Sequence, residues 1–527
     1  MAGSLVGASV AIVVFGRVLA PASTVSLAGA QVTEPVASSY VVCPETRARQ
    51  AIEFAAVSAV VAPIQPTSSP TSATGTGSAS GSPGASGSPG ASGSPGAVPS
   101  PAPSVSPSAS VPGSAGLAAL PNDNRAPTPL ATITESGGSA TIGPVRGRIP
   151  AVLGAASGSL APGFAASQWN YHWSGSARGV AALACTPPST DQWFVGGSSG
   201  VGNSTNVLMI NAEDGPAQVD VDVYGPNGQV SAPAGQGVLI RAHGRASLRL
   251  TALAPGLSVA AIHVKTQSGR VMAAVYDRAS RGLISRGYEW IPTTAPSRLV
   301  VIPGGDGFAN RNLLSVLAVG GADADVAVTL ITTDGRFVPA GNARLDAVSG
   351  RVVTTDLAKA IDGEYFGVQL TSDEPIVAGL TSTAASRQAS TDSTTSTGVP
   401  ALGGPAVAVG LTNVANFRHM MLLTAPAGAA RVGVTVVLSD GSVHSGQIVS
   451  VPAGTTRAVP ISRFSTRSTF SVVVTPQPGG GPVFAASYTY ARSALGPFGT
   501  VVPLTSLRTT VTVPDARPDL GVAFATR

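Results

Sequence analysis

The most constraining feature of this chain is a β-hairpin written three times, about 107 residues apart. The copies are Val219-Asp-Val221-Asp-Val223 ahead of Asn227-Gly228, Val326-Ala-Val328-Thr-Leu330 ahead of Asp334-Gly335, and Val432-Gly-Val434-Thr-Val436 ahead of Asp440-Gly441. Alternating apolar residues give a strand one buried face. Asn-Gly and Asp-Gly supply the positive φ angles of a tight hairpin. In every copy the last apolar residue sits five positions before the glycine, so register is copied along with pattern. A chain written this way folds as a series of similar β modules.

The rest of each period agrees. Over residues 190–295, strands are expected at Trp193–Val195, Val207–Ile210, the Val219 hairpin, Ser247–Leu250, Val259–Val264 and Val271–Tyr276. About seven strands in about 106 residues match the count and length of an immunoglobulin-like β-sandwich. The last strand of each copy carries a pair of small residues: Ala273-Ala274, Ala378-Gly379 and Ala485-Ala486. The same pair stands at Ala165-Ala166, so a degenerate copy precedes the three. Its first strands would be Tyr40–Cys43 and Ala51–Val61, with residues 130–153 supplying the middle ones.

The fold class expected is therefore all-β, a tandem of immunoglobulin-like sandwich repeats. Residues 36–186 form the degenerate first sandwich, and 187–296, 297–400 and 401–513 the three repeats, with a tail at 514–527. The first copy is about 46 residues too long. The surplus matches a Pro/Ser/Gly/Ala-rich tract at 64–115, where no side chain is large enough to build a core. The tract reads as a disordered insertion within the first sandwich. The joints between copies recur as Cys185-Thr-Pro187, Trp290-Ile-Pro292 and Val399-Pro400. Short joints with proline restrict swing, which pictures the row as a semi-rigid rod or a compact arc. An extra edge strand is expected at Val511-Thr-Val513.

Charged residues make up only 11% of the 527. Net charge is +5, without a basic run or basic residues interleaved with aromatics, which argues against nucleic-acid binding. Residues 4–30 are mostly small and apolar, broken by Arg17 and Pro21. Two readings stay open for 1–30. One is a cleavable export signal ending at Ala28-Gly29-Ala30. The other is a membrane anchor across residues 5–27. Membrane contact is expected through this segment alone. The two cysteines, Cys43 and Cys185, suit one disulfide in an exported protein. It would close a loop of about 140 residues, worth about 4–5 kcal/mol by chain entropy.

Chemistry-bearing motifs are weak. Gly196-Gly-Ser198-Ser-Gly200 fits a nucleophile-elbow pattern, but no helix is expected after it. His172, His243, His263, His419 and His444 show no metal-ligand spacing. Asp220 with Asp222 and Asp323 with Asp325 are strand-spaced pairs that read as solvated faces. Glu289 beside Trp290 is the most site-like acid, at a joint where packing is the simpler role; Trp193 and Trp290 are expected to bury at joints. Asn203-Ser-Thr205 is a glycosylation sequon without expected consequence. Trp169, Tyr171 and Trp173 alternate, and are candidate surface-binding aromatics for a glycan or partner. No catalytic, cofactor or metal residue is nominated.

Cys185-Thr-Pro-Pro188 followed by Trp193-Phe-Val-Gly-Gly197, with the earlier Cys43-Pro44 and the apolar N-terminus, resembles an actinobacterial family of exported proteins of unknown function. The resemblance implies a cell-envelope location and a signal or anchor, and no activity. The leading expectation is a non-enzymatic envelope scaffold or interaction and adhesion module, with envelope proteins or cell-wall glycan as partners. The alternative is a carbohydrate-binding array in wall or surface-glycan metabolism. An enzyme with a site at a joint comes third.

Overall fold

The computed structural model describes residues 31–48, 54–64, 112–122, 125–145, 147–361, 363–384, 391–413, 416–444, 446–461 and 469–514. The expected signal or anchor, nearly all of the 64–115 insertion and the 515–527 tail lie outside them. The chain divides into two compact units, one made of Met1–Pro35 with Thr510–Arg527 and the other of Val36–Thr509. In the first, Gln31–Pro35 pairs antiparallel with Thr510–Pro514, so the extra strand at Val511–Val513 has a partner near the other end of the chain.

The second unit is all-β and modular. The module at 187–296 has eight strands that set its two sheet orders, Asp191–Gly197, Asn206–Ile210, Ala217–Gly225, Gly228–Val230, Arg245–Arg249, Ala260–Ser268, Met272–Arg281 and Ile284–Ile291, and a short ninth, Val238–Ile240, beside the third, against about seven expected. One sheet runs first-sixth-third-fourth and the other fifth-second-seventh-eighth. The sandwich core between them holds Phe194, Val207, Val219, Val221, Val223 and Ile262. Val219, Val221 and Val223 thus face inward, as alternation requires. Gly225 pairs with Gly228 across a Pro226-Asn227 turn, and Gly228 takes φ +119°. Gly335 and Gly441 hold the corresponding positive φ in their hairpins, where a side chain would be strained.

The same two strand orders recur in the last module, from Ala406–Leu411 to Gly496–Leu504. They recur again, strand for strand, in the degenerate first copy from Ser38–Cys43 to Gly179–Ala184. There the sequence tract 65–111 falls between its second strand, Phe54–Val61, and its third, Ser114–Ala119. In the third module the sixth and seventh strands are one continuous run, Tyr365–Thr383, which passes from one sheet into the other and joins them. Each joint bridges back to its own module's first strand. The pairs are Thr186 with Val42, Thr294 with Trp193, Val399 with Val301 and Ser506 with Ala406. Cys43 and Cys185 are disulfide-bonded beside the first of these bridges.

The picture of a rod or arc is corrected. Each module lays its second sheet on the first sheet of the module before it. Met272, Ala274 and Trp290 pack on Val42 and Ala151. Leu317 and Val377 pack on Trp193 and Val195. Ala486 and Tyr488 pack with Tyr365, while Thr456 Oγ1 donates to the Ile331 carbonyl at 2.7 Å. The first module repeats the move on the fourth, with Val60 and Ala62 against Val407, Val409 and Val473. Head-to-tail contacts generate a ring when the rotation closes, and here four copies close it. The small-residue pairs explain why. One member of each pair faces its own core, as Ala166, Ala273, Ala378 and Ala485 do. Its neighbour on the strand turns outward and lets the next sheet come close. A Cβ on Gly379 would run into the Val195 carbonyl of the preceding module.

Candidate functional site

Ring closure brings the four eighth strands together: Gly179–Ala184, Ile284–Ile291, Ser393–Thr397 and Gly496–Leu504 are neighbours around a hub. Four strands converge there only because small residues let them. A Cβ on Gly179 would lie 2.9 Å from Asp392 Oδ1 and 3.0 Å from Tyr288 Cβ, and one on Gly287, at φ +142°, would strike Ser393.

Asp392 sits at this hub and accepts backbone N–H groups from all four modules. Val180 and Gly499 donate to Oδ2 at 3.1 and 3.2 Å, and Tyr288 and Ser393 donate to Oδ1 at 3.2 and 3.1 Å. Burial pushes its carboxyl up to about 7, against the pull of these N–H donors and of the Arg178 guanidinium. Glu289 is also fully enclosed. It accepts from Thr500 Oγ1 at 2.9 Å and from the Trp290 and Val501 N–H groups at 2.9 and 3.4 Å. Burial first, and the Asp392 charge second, raise it well above the usual carboxylate range. Arg178 lies 3.7 Å over the Phe498 ring and donates to the Pro497 and Gly496 carbonyls at 3.0 and 2.6 Å. These groups are struts. Each buried charge is met by fixed donors or acceptors of another module, as enclosure demands.

Trp169 and Tyr171 are not surface aromatics. Both are about 2% exposed and lie in the core of the fourth module. Trp169 Nε1 donates to the Val409 carbonyl at 3.3 Å, and Tyr171 meets Phe417 and Phe498 edge-on, each at 5.2 Å. Trp173 is half-buried against the same core. These residues face outward from their own sandwich, as their alternation implies, and ring closure covers that face. Trp193 and Trp290 lie buried in seams, in line with their expected place at joints.

The other candidates also resolve into structure. Ser198 receives the Thr205 hydroxyl on its carbonyl and donates its own hydroxyl to the Leu257 carbonyl at 2.9 Å, and no helix follows it. Asp220 and Asp222 are buried rather than solvated, and Gln236 and Gly237, just after the Pro233–Gly235 turn, donate to them. Asp220 accepts from the Gly237 N–H and from Gln267, both at 2.8 Å, and Asp222 pairs with Lys265 at 2.8 Å. Asp325 pairs with Arg344, and Asp323 accepts the Ser349 N–H at 2.8 Å. His263 stacks on Trp193 at 3.8 Å. His419 is buried between Thr489 and the Thr412 carbonyl, and burial lowers it to about 4. Glu289 is a hub strut and not a surface partner for Trp290.

A cleft of about 630 Å³ stays open on the seam between the third and fourth modules. It runs from Asp392 and Gly499 at the hub outward to Phe308 and Asn310. Its wall is a chain of rings. Phe308 meets Tyr365 at 5.3 Å, Tyr365 meets Tyr488 at 5.1 Å, and Tyr488 stacks with Tyr490 at 5.8 Å. Tyr488 donates its hydroxyl to Asp306 Oδ2 at 2.7 Å, and the Phe308 N–H donates to Oδ1 at 3.0 Å. Burial raises Asp306 against these two bonds and the nearby Arg492. Arg492 is exposed and lines the same cleft. A volume in this range, with aromatic walls and a few polar groups, has the character of a ligand site.

Sequence reasoning passed over these residues, although a signal existed. Tyr488 and Tyr490 follow Ala485 at the same offsets at which Trp169 and Tyr171 follow Ala166. The motif was read in the first copy, where its seam is filled, and not in the last, where the seam stays open.

No curated protein matches the chain. A solved serine-rich repeat protein (Srr2) from Streptococcus agalactiae aligns over 47% of this chain and 88% of its own, at 8% identity and a TM-score of 0.09, an overlap that carries no argument. The model of the "Family of unknown function (DUF5719)" matches residues 137–462. That span takes in the second and third modules whole, the hub strands of the first three, and the Cys185 to Gly197 stretch, and it exceeds half of the 527 residues. The chain belongs to the DUF5719 family of unknown function.

Proposed function

We propose that this protein works outside the cytoplasmic membrane of an actinobacterium as a non-enzymatic scaffold or interaction module of the cell envelope. The observation that carries the reading is how its buried charge is used. Asp392, Glu289 and Arg178 each bind across module boundaries, so the chemistry of the interior goes into one fixed four-module platform. The Cys43–Cys185 bond supports export, since such bonds persist in oxidising compartments. The alternative, an array of carbohydrate-binding modules, is favoured by a single feature, the aromatic cleft, and one cleft is not an array.

The test uses intact cells. A membrane-impermeant amine reagent meets two lysines on this chain, Lys265 and the exposed Lys359. Labelling of the protein in whole cells is expected, together with two cysteines that alkylate only after reduction. Impermeant cross-linking is then expected to trap envelope proteins on it. A protein shielded from the reagent, with freely alkylating thiols, would overturn the reading.

A further inference from the structure

Equivalent seams around the ring differ in one respect. On the seam between the first and fourth modules, Trp169 and Tyr171 project from the seventh strand into the neighbour and leave a void of about 20 Å³, room for about one water. On the seam between the fourth and third modules, Tyr488 and Tyr490 project from the same strand positions, yet about 630 Å³ stays open. The rings form a row that ends on Phe308, which is 54% exposed. A core does not leave a large aromatic at the mouth of a cavity that its neighbours could fill.

We infer that this cleft is a glycan-binding site for a neutral, pyranose-containing saccharide. The inference rests on the binding-scaffold reading and names the ligand class. The lining selects for it. A pyranose has a face of C–H groups, weakly positive at hydrogen, which suits the negative face of an aromatic ring. Its edge carries hydroxyls that both donate and accept. Phe308, Tyr365 and Tyr490 offer the platform. Beside it, Asp306 keeps lone pairs beyond the two used by Tyr488 and Phe308. Arg492 brings a forked donor, and Tyr365 and Tyr490 line the same cleft. Two carboxyl groups, Asp306 and Asp392, stand against one cation, Arg492, so the lining named here carries no positive excess, which argues against an acidic polymer. A purely apolar ligand would leave Asp306 and Arg492 unanswered.

The experiment uses the full, disulfide-bonded chain. It is applied to an array of neutral oligosaccharides and to isolated insoluble cell-wall polysaccharide, and the strongest soluble binder is titrated by calorimetry. Phe308→Ala and Arg492→Gln change exposed side chains, so both should fold, as an unchanged melting temperature will verify. Each is expected to weaken binding about tenfold. Leu239→Ala, an exposed residue of the second module, should leave it unchanged. Failure of wild type to retain any saccharide at millimolar concentration, or equal binding by the two cleft variants, overturns the inference. Envelope cross-links that persist without saccharide binding would sink the glycan site and leave the scaffold reading standing.

Discussion

One aspartate carries more of this architecture than any other side chain. Asp392 takes an N–H from every module, at 3.1–3.2 Å, and is itself buried where the four modules meet. Asp392→Ala would leave four buried donors unanswered and Arg178 short of a counter-charge. A loss of about 3–5 kcal/mol in denaturant unfolding is expected; a loss under about 1 kcal/mol would show that the hub is not held this way. The same residue predicts a pH effect. Its carboxyl is pushed up to about 7 in the fold and is ordinary when unfolded, so the folded state binds the extra proton. That contribution is complete in acid, below the unfolded value, and is lost as pH rises through about 7. Glu289 and Asp306 are raised too, and Asp277 to about 6, all with the same sign. His419, lowered to about 4, acts oppositely, but only below the ordinary histidine value. Stability should therefore fall between pH 6.5 and 8, and Asp392→Asn should flatten that slope. A melting temperature that climbs over this window would contradict the assignment.

At the scale of the strand, the small-residue pairs decide whether sandwiches can touch. Gly379 lies where its backbone meets the Val195 carbonyl of the preceding module, and a main chain cannot step aside as a flexible side chain can. Gly379→Val should separate the second and third modules and cost about 2–3 kcal/mol in urea unfolding. Gly215→Ala, in open space, serves as the unaffected control. This scale also shows what was legible beforehand. The hairpins could be read because alternation and turn glycines act over a few residues, and the Ala-Ala pair identified even the degenerate copy. The direction of an outward face could not be read. Trp169 on a sandwich exterior looks the same in sequence whether water or another module covers it. Asp392 was invisible for a related reason: its partners Val180, Tyr288 and Gly499 come from three other modules, and nothing beside it in the chain announces them. The cleft was half legible, since the alternating tyrosines were in plain view and only closure shows which copy of the motif stays open.

For the whole molecule, closure changes what a module is. In an open row, every sandwich keeps its core when the last one is removed, and stability is close to a sum over neighbours. In the ring, the first module contributes Trp169, Tyr171, Val180 and Ala182 to the core of the fourth, and Arg178 finds its acceptors there. Deleting residues 401–509 would expose those rings and strand Arg178. It would also leave Glu289 without Thr500 and take Gly499 from Asp392. The damage would then spread through the hub to modules that keep their own sequence intact. Calorimetry of the full chain should show Val36–Thr509 melting in one transition, because no seam can open without disturbing the shared hub. The three-module truncation should melt far lower, bind a hydrophobic dye and associate on a sizing column, through an apolar face of the kind soluble monomers rarely expose. If the truncated protein instead stays monomeric and melts with the full chain, the modules are independent beads, and the hub contacts do not hold the ring.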